Sequence, residues 1–423
     1  MRSPASISSV GVDQPGVSRR RPKDAPLSLT VSRPLLRPAR RLPTASVVLA
    51  GVFAGVAVLC WLAGWQPGVD TSVYRSAALA LWHGQPLYDL LAAPPMIPEL
   101  RFTYPPIAAP LFLPLAALPN QLAWGVLAMA SSVSLGVVAR LTLVRCPWIA
   151  VVGVLAVEPV WRSLGLGQVN LVLLALVMLD VLALRGSRFA GVLVGLAAAI
   201  KLTPLIFVAH LAITGRWRDA ARALGTFAAL HAVGAVLLPA DSARFWTEAM
   251  LGGNQATRNS WWGNQSLNGL IQRLSGEASW AFAAAAMAAL VCLAGCAVLV
   301  RALHLRAEPV AAVLVTGFCG VLVSPVSWSH HWVWAVPLVL LLARRGRWLA
   351  AALTAAVFTG GSFALVPQDN GVELWWTPLQ ALLGNAYVLA ALAGLLLLAV
   401  RLALTRTGTT GSGQADRSGR PRR

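Results

Sequence analysis

Asp70 is the first side chain in this sequence whose type and position suggest chemistry. It follows the uncharged apolar run 46–65, whose 20 residues are enough to cross a hydrocarbon layer about 30 Å thick. A carboxylate at this surface can act as a general base, which takes a proton from an attacking hydroxyl group. Asp is also a common N-cap residue, so the alternative is that Asp70 only begins a short helix over 72–83 that stops at Gly84.

Lys201 is the second candidate, because the chain contains only two lysines and the other, Lys23, lies near the N-terminus. It interrupts the apolar segment 190–213, where a lysine costs about 2.5–3.5 kcal/mol and therefore needs a partner or a ligand. A phosphate group is the natural anion for such a site. The alternatives are that the side chain reaches the membrane interface, or that it pairs with Glu158 or Asp180.

His330 and His331 lie in the tryptophan-rich stretch 324–334, between two apolar segments. Adjacent side chains point in different directions and no third ligand follows at a zinc-binding spacing, so we predict no metal here. A histidine that donates to an anion, or that tunes a carboxylate, fits the pattern better. Trp328 belongs either to an aromatic belt at the membrane interface or to a surface that stacks on a sugar ring.

Residues 258–269 form a stretch that is dense in amide and hydroxyl side chains, among them Asn264 and Gln265. Amides suit sugar recognition because each offers both a hydrogen-bond donor and an acceptor. The alternative is a solvated loop without a ligand.

Composition places these candidates in a helical membrane protein. Hydrophobic residues make up 57% of the chain and charged residues only 12%, whereas a soluble domain carries about 25% charged residues. The net charge of +19 does not indicate a nucleic-acid partner, because the basic residues gather in the two tails and in short segments beside apolar runs. That distribution is typical of cytoplasmic loops. The five cysteines show no metal spacing and are interpreted as small membrane residues.

The apolar runs predict an all-α integral membrane domain over 44–405, between disordered basic cytoplasmic tails at 1–43 and 406–423. Two broken excursions are expected, at 107–118 and at 190–213, and the second is expected to dip in and return at its break, 201–204. Counting the full spans and these excursions, we predict about 10–12 transmembrane helices. Both termini are expected on the cytoplasmic side. The polar motifs then all lie on the outer side. Full spans are expected at about 46–65, 121–143, 147–164, 168–184, 223–240, 279–303, 308–324, 332–344, 349–366 and 383–404.

Six motifs occur in an order that resembles a known family. They are Asp70-x3-Tyr74, Phe102-Thr103-Tyr104-Pro105-Pro106, Gly167-Gln168-Val169-Asn170, Lys201-Leu202-Thr203-Pro204, Asn264-Gln265-Ser266 and the stretch 324–334 with Trp328-Ser329-His330-His331-Trp332. Over about residues 45–405 the chain resembles the polyprenol-phosphate-mannose-dependent α-1,2-mannosyltransferases of glycosyltransferase family 87. These enzymes are helical bundles of the GT-C type.

The resemblance implies an enzyme of the plasma membrane with its active site on the outer face. The donor would be polyprenyl-phosphate-mannose and the acceptor a mannose 2-hydroxyl of a glycolipid, with inversion, in contact with membrane lipids and without a cofactor. Asp70 would be the base. The donor phosphate would bind Lys201, His330, His331, Arg75 and Arg258. Sugar or acceptor contacts would come from Tyr104, Gln168, Asn170, Asn264, Gln265 and Trp328.

One departure leaves the acceptor open. Asp70 is followed by Thr71-Ser72, where relatives that elongate phosphatidylinositol mannosides carry Asp-Leu-His. A phosphatidylinositol mannoside, a lipomannan and a lipoarabinomannan all remain candidates.

Two other functions are considered. One is an arabinosyltransferase that uses decaprenyl-phosphoryl-arabinose. The other is a lipid or sugar transporter, which predicts internal repeats and polar residues on both sides of the membrane. No internal repeat is visible and the polar motifs are one-sided, which disfavours the transporter.

Overall fold

A computed structural model describes residues 43–91, 93, 100–143, 153–250, 259–368 and 370–410, with side chains to residue 405. The predicted tails, apart from residue 43 and residues 406–410, lie outside these ranges, as does Arg258. Within the described ranges no strand forms, and only two isolated β-bridges occur. The prediction of an all-α membrane protein is therefore confirmed.

The described residues form eighteen α-helices. The first nine are Thr44–Ala63 (α1), Val69–Trp82 (α2), Ala108–Leu111 (α3), Leu113–Ala116 (α4), Asn120–Thr142 (α5), Glu158–Leu166 (α6), Asn170–Met178 (α7), Val192–Ile200 (α8) and Ile206–Ile213 (α9). The others are Trp217–Leu237 (α10), Pro239–Arg244 (α11), Leu267–Ser275 (α12), Ala281–Leu305 (α13), Pro309–Val323 (α14), Ala335–Arg344 (α15), Trp348–Val357 (α16), Pro378–Gly384 (α17) and Ala386–Thr410 (α18).

Fewer of these helices are full-length spans than the ten expected. Five are long and apolar enough to cross a membrane, namely α1, α5, α10, α13 and α18, and the pair α6 and α7 would be a sixth but is bent by 119°. Helix α14 has 15 residues and α15 and α16 have 10 each, which is short of the roughly 20 that a span needs. Helix α14 nearly fills the expected span 308–324, and α15 begins three residues after the expected start at 332. Helix α16 is short because residues 358–366, expected within the span 349–366, are not α-helical. The expected span 147–164 falls partly on residues outside the described ranges.

Both expected breaks are present. The segment 107–118 forms only α3 and α4, of four residues each, because Pro110 and Pro114 interrupt it and Pro119 follows it. The segment 190–213 forms α8 and α9. Helix α8 ends just before Lys201, and a 3₁₀ turn that contains Pro204 leads into α9. Helix α10, which follows the segment after a short turn, starts beside its beginning, since Arg222 Nε donates to Ala190 O at 2.7 Å. The segment therefore dips in and returns, with Lys201 near its tip.

The C-terminal ends of α5, α13 and α15 lie at the same end of the bundle, together with the second half of α18. Arg344 of α15 donates to Thr142 O at the end of α5, at 2.9 Å. Arg306, after α13, donates to Leu402 O of α18, also at 2.9 Å. Arg344 thus satisfies a carbonyl group at the C-terminus of α5, where backbone acceptors are otherwise unpaired, and Arg306 binds a carbonyl group within α18.

The described part of the stretch 258–269 is not the solvated loop of the alternative interpretation. Residues 259–269 lead into α12 and are packed into the protein, so that Asn264, Gln265 and Ser266 are fully buried. Arg273 of α12 is buried as well and donates to the backbone of Trp261 at 2.9 Å and to Asn385 Oδ1 at 2.6 Å. Burying this cation is tolerable because several of its N–H groups find acceptors.

Candidate active site

Asp70 lies in the first turn of α2, but it is not the N-cap. Gly68 occupies that position with a φ of 80°, and no side chain caps the helix. The interpretation of Asp70 as only a helix cap is therefore wrong. The start of α2 packs tightly against the turn between α6 and α7, since a Cβ atom on Gly167 would lie 1.8 Å from Thr71 Oγ1. This close approach, which glycine allows, brings Asp70 next to Gln168.

The environment of Asp70 is suited to a base that works near neutral pH. Burial raises the pKa of this carboxyl group to about 6, while a hydrogen bond with Gln168 and the charges of Lys201 and Arg162 act in the opposite direction. The side chain is only half-buried, so a substrate can reach it. The group is therefore mostly ionised at pH 7 and still basic enough to accept a proton.

Two tyrosines and Gln168 form a hydrogen-bonded cluster beside Asp70. The hydroxyl groups of Tyr74 and Tyr104 are 2.8 Å apart, and they donate to Gln168 Oε1 at 2.9 and 3.1 Å. Tyr74 also stacks on Phe112 of the broken segment, with ring centroids 4.5 Å apart. The cluster fixes the orientation of Gln168 and thereby of its bond to Asp70.

Lys201 is the centre of a second group of polar side chains. Its Nζ donates to Asn170 Oδ1 and contacts His331 Nε2, both at 3.0 Å, and it lies 5.4 Å from the centre of the Tyr104 ring. The alternative partners are engaged elsewhere. Asp180 accepts from backbone N–H groups at the start of α8, and Glu158 accepts from Ser329 and Tyr387. Lys201 is thus a half-buried cation held by neutral groups, which leaves its charge available to an anion.

The histidine pair lies in a 3₁₀ turn, Ser329–His331, whose backbone is fixed from α6 and α7. The carbonyl of His330 accepts from Asn170 Nδ2 at 3.1 Å and from Ser163 Oγ at 3.3 Å. Burial and the nearby cations keep the pKa of both imidazoles well below its usual value, so both are neutral. Because Lys201 donates to Nε2 of His331, the proton of that ring belongs on Nδ1.

Three ring nitrogens of this pair are buried and have no hydrogen-bond partner within the described residues. They are Nδ1 and Nε2 of His330 and Nδ1 of His331. Unpaired buried polar atoms are costly, and such groups near a cation indicate a place for a ligand. The two rings are perpendicular, with centroids 4.8 Å apart, so they do not form a chelating pair.

An apolar groove begins at the Lys201 group. It encloses about 520 Å³, including its open mouth, and Lys201, Asn170 and His331 line it together with side chains of α7, α9 and α14. Leu174, Phe207 and Trp334 are among the apolar residues of its wall. Trp334 fits against α14 because Gly317 has no side chain there, since a Cβ atom would lie 2.2 Å from the indole ring. A polar head and an apolar groove together suit a lipid phosphate.

Arg162 is a site residue that the sequence analysis missed. Its charge lowers the pKa of both Asp70 and His330, it stacks over Trp262 at 5.4 Å, and it contacts Glu158 at 3.5 Å. It lies on α6, facing the same space as the histidine turn. The only signal in the sequence was its position four residues after Glu158, which is common for a surface ion pair.

The remaining predicted residues fall outside this group. Arg75 donates to Leu118 O at 2.6 Å, and Trp328 is half-buried against Trp261. Asn264 and Gln265 are fully buried and use their amide N–H groups on backbone carbonyls. Gln265 also pairs with Ser327 through the backbone at 2.7 Å. These two amides hold the stretch before the histidines in place.

Comparison with known proteins gives a consistent set of relatives. The profile of glycosyltransferase family 87 matches residues 102–325. The chain is 32% identical, over 82% of its length and 88% of the relative, to a polyprenol-phosphate-mannose-dependent alpha-(1-2)-phosphatidylinositol mannoside mannosyltransferase of Mycobacterium tuberculosis. It is 31% identical, over 87% of its length and 91% of the relative, to the protein of the same description from Mycolicibacterium smegmatis.

A pentamannoside mannosyltransferase of the same dependence, from Mycobacterium tuberculosis, is 33% identical over 74% of this chain and 75% of its own length. No solved structure gives a significant match.

Proposed function

The chain belongs to glycosyltransferase family 87, and from this premise we propose that it transfers mannose from polyprenyl-phosphate-mannose to a mannose 2-hydroxyl of a phosphatidylinositol mannoside or a related lipoglycan. The observation that carries the proposal is the juxtaposition of a half-buried carboxylate, Asp70, with a half-buried cation, Lys201, at the head of an apolar groove. The relatives are named for mannose, which favours this donor over an arabinosyl phosphate.

Asp70 serves as the base in the proposed reaction. As the acceptor hydroxyl attacks C1 of mannose, its proton passes to the Asp70 carboxylate, a new C1–O bond forms, and the bond from C1 to the phosphate oxygen breaks. Polyprenyl phosphate leaves with the bonding electrons. One displacement inverts the configuration at C1, so a β-linked donor gives an α-linked product. General-base assistance of this kind contributes about 10²–10⁴-fold.

The Lys201 group receives the phosphate. Charge grows on the leaving phosphate as the bond breaks, and a fixed cation with neutral donors stabilises it without reorganisation. Lys201 supplies the charge, Nδ1–H of His331 is a free donor, and Arg162 approaches from α6. The apolar groove beside them accommodates the first prenyl units. Arg162 is therefore a further candidate for the helper role. Arg75 Nε is bonded to Leu118 O, and Arg258, outside the described residues, stays a prediction.

The acceptor binds on the Asp70 side, where Tyr104, Gln168 and Trp328 are the candidates for sugar contact. We place this side at the outer face of the plasma membrane. Support comes from the clustering of basic helix ends at the opposite end of the bundle, which is typical of the cytoplasmic side. A lipid-linked donor also suits an outer site, because no nucleotide sugar is supplied there.

The test is a transfer assay with the purified full-length chain in nanodiscs. Radiolabelled polyprenyl-phosphate-mannose and decaprenyl-phosphoryl-arabinose are offered separately, each with phosphatidylinositol mannosides of different length. We expect mannose transfer only, and a loss of at least about 100-fold for Asp70→Asn. Asp89→Asn is the matched control, since Asp89 is exposed and pairs with Arg244. Transfer by Asp70→Asn at the rate of Asp89→Asn would exclude Asp70 as the base.

A further inference from the structure

Three cysteines meet between α13 and α14, away from the site described above. Cys292 and Cys296 are four residues apart on α13 and therefore share a helix face. Cys319 of the neighbouring α14 completes the group, and all three sulfur atoms lie within 4.8 Å of one another. Cys296 and Cys319 are buried, whereas Cys292 is half-buried and gives access from the side.

The geometry matches a three-coordinate metal site. With metal–sulfur bonds of about 2.3 Å, a trigonal arrangement places the sulfur atoms about 4.0 Å apart. The Sγ atoms of Cys292 and Cys296 are 4.0 Å apart already. Small side-chain movements bring Cys319 to the same spacing.

The donor set selects the kind of metal. The group consists of sulfur ligands alone, and thiolates favour soft cations such as Cu(I) over magnesium or calcium, which need oxygen ligands. Zinc in a closed structural site takes four ligands, and this group offers three.

We propose that Cys292, Cys296 and Cys319 form a binding site for a cuprous ion. Each of the three cysteines binds the ion as a thiolate and releases its proton to solvent, and the bound ion joins α13 to α14. Cys319 stands between Gly317 and Gly320, and both glycines line the lipid groove. A bound ion would therefore fix the groove wall from behind, without touching the reacting groups.

The experiment titrates Cu(I), under anaerobic reducing conditions, into the purified full-length chain in competition with a chromogenic chelator. We expect one tightly held ion per chain and a higher melting temperature of the copper-loaded protein. Cys296→Ala and Cys319→Ala should each weaken binding at least about 100-fold, since a ligand is lost. Cys60→Ala is the matched control, because Cys60 is a buried cysteine of α1 outside the group.

X-ray absorption of the loaded wild-type chain provides a measurement that does not depend on how the variants fold. Three sulfur neighbours around copper support the site, and two overturn it. Unchanged affinity in Cys319→Ala, or a wild-type chain that retains no copper against the chelator, also overturns the proposal.

Discussion

Asp70 is subject to opposing influences that leave it useful at neutral pH. Burial alone would drive the carboxyl group towards its neutral form, whereas Gln168, Lys201 and Arg162 favour the ionised form, and the resulting pKa is about 6. A free aspartate is ionised at pH 7 but is a weaker base. The surrounding residues therefore raise the basicity of Asp70 without removing its charge.

This balance predicts the pH dependence of the reaction. A base must be ionised to act, so kcat/KM should be constant above about pH 7, fall to half near pH 6 and drop about tenfold for each further unit. Gln168→Leu removes a hydrogen bond that lowers the pKa, and its acid limb should therefore move to higher pH. The measurement is initial transfer rate against pH in nanodiscs. A wild-type rate that is flat down to pH 5 would contradict the assignment.

Replacing Lys201 tests its proposed role at the phosphate and, at the same time, its effect on the pKa of Asp70. Lys201→Met keeps the length of the side chain and removes its charge, which should lower kcat/KM by about 10²–10³-fold. Because Lys201 also lowers the pKa of Asp70, the acid limb of the variant should shift upwards. Lys23→Met, at the other lysine of the chain, is the control and should leave both quantities unchanged. A lower rate with an unshifted limb would indicate that Lys201 only supports the fold.

The sequence identified these two residues because each is a rare type in its setting. Lys201 interrupts an apolar segment and Asp70 directly follows one, so each required an explanation. Arg162 was missed because it is one of 32 arginines among the 34 basic residues, the other two being lysines. Nothing in the local sequence distinguishes it from the rest. Its importance comes from the bend between α6 and α7, which turns it towards Asp70. That is a long-range property of the fold.

At the level of elements, Glu158 joins three parts of the chain behind the histidine turn. It begins α6, is 2% exposed, and accepts from Ser329 Oγ at 2.7 Å and from Tyr387 of α18 at 3.1 Å. The space around it is tight, since a Cβ atom on Gly360 would lie 2.8 Å from its side chain. Glu158 is therefore a positioning residue, because it holds the turn and touches no substrate.

Replacing Glu158 should loosen this junction. Glu158→Leu leaves the buried Ser329 hydroxyl without its acceptor and Tyr387 with only the carbonyl of Phe358 at 3.3 Å. We expect a loss of about 1–3 kcal/mol in the free energy of unfolding. The melting temperature of the purified chain in detergent measures it. Glu248→Leu is the control, because Glu248 is exposed and its pairing with Arg244 should contribute less than about 1 kcal/mol. Equal melting temperatures for the two variants would contradict a positioning role.

Helices and breaks in helices could be predicted where the local sequence contains a clear signal for them. Prolines and the lone lysine fixed both broken segments, and uninterrupted apolar runs fixed α1, α5 and α13. The packed segment around α12 was not predictable, because its polar composition is equally typical of a solvated loop. What buries it is Arg273, which donates to Asn264 O at 3.0 Å and to Asn385, 112 residues further along the chain. Local sequence cannot reveal a partner at that distance.

At the level of the whole molecule, arginines at helix ends lie at one end of the bundle and the candidate site residues lie at the other. The arginines that follow α13 and end α15 bind carbonyl groups of α18 and α5 at one end. Asp70, the tyrosine cluster and the histidine turn gather away from them, and Gln265 ties the segment before α12 to the backbone of Ser327. A chain with this asymmetry has one orientation favoured by the positive-inside rule.

That orientation predicts which engineered cysteines are accessible in intact cells. Ser279→Cys, just before α13, should react with a membrane-impermeant maleimide from outside, because it lies at the end that carries the site. Arg347→Cys, just before α16, should react only after permeabilisation. Both positions are exposed, so the comparison reports their side of the membrane. The wild-type chain provides the background, since its cysteines in the described residues are buried or half-buried. The opposite result, in which Arg347→Cys is labelled in intact cells and Ser279→Cys is protected, would place Asp70 and Lys201 on the cytoplasmic side. The topological argument for a lipid-linked donor would then no longer hold.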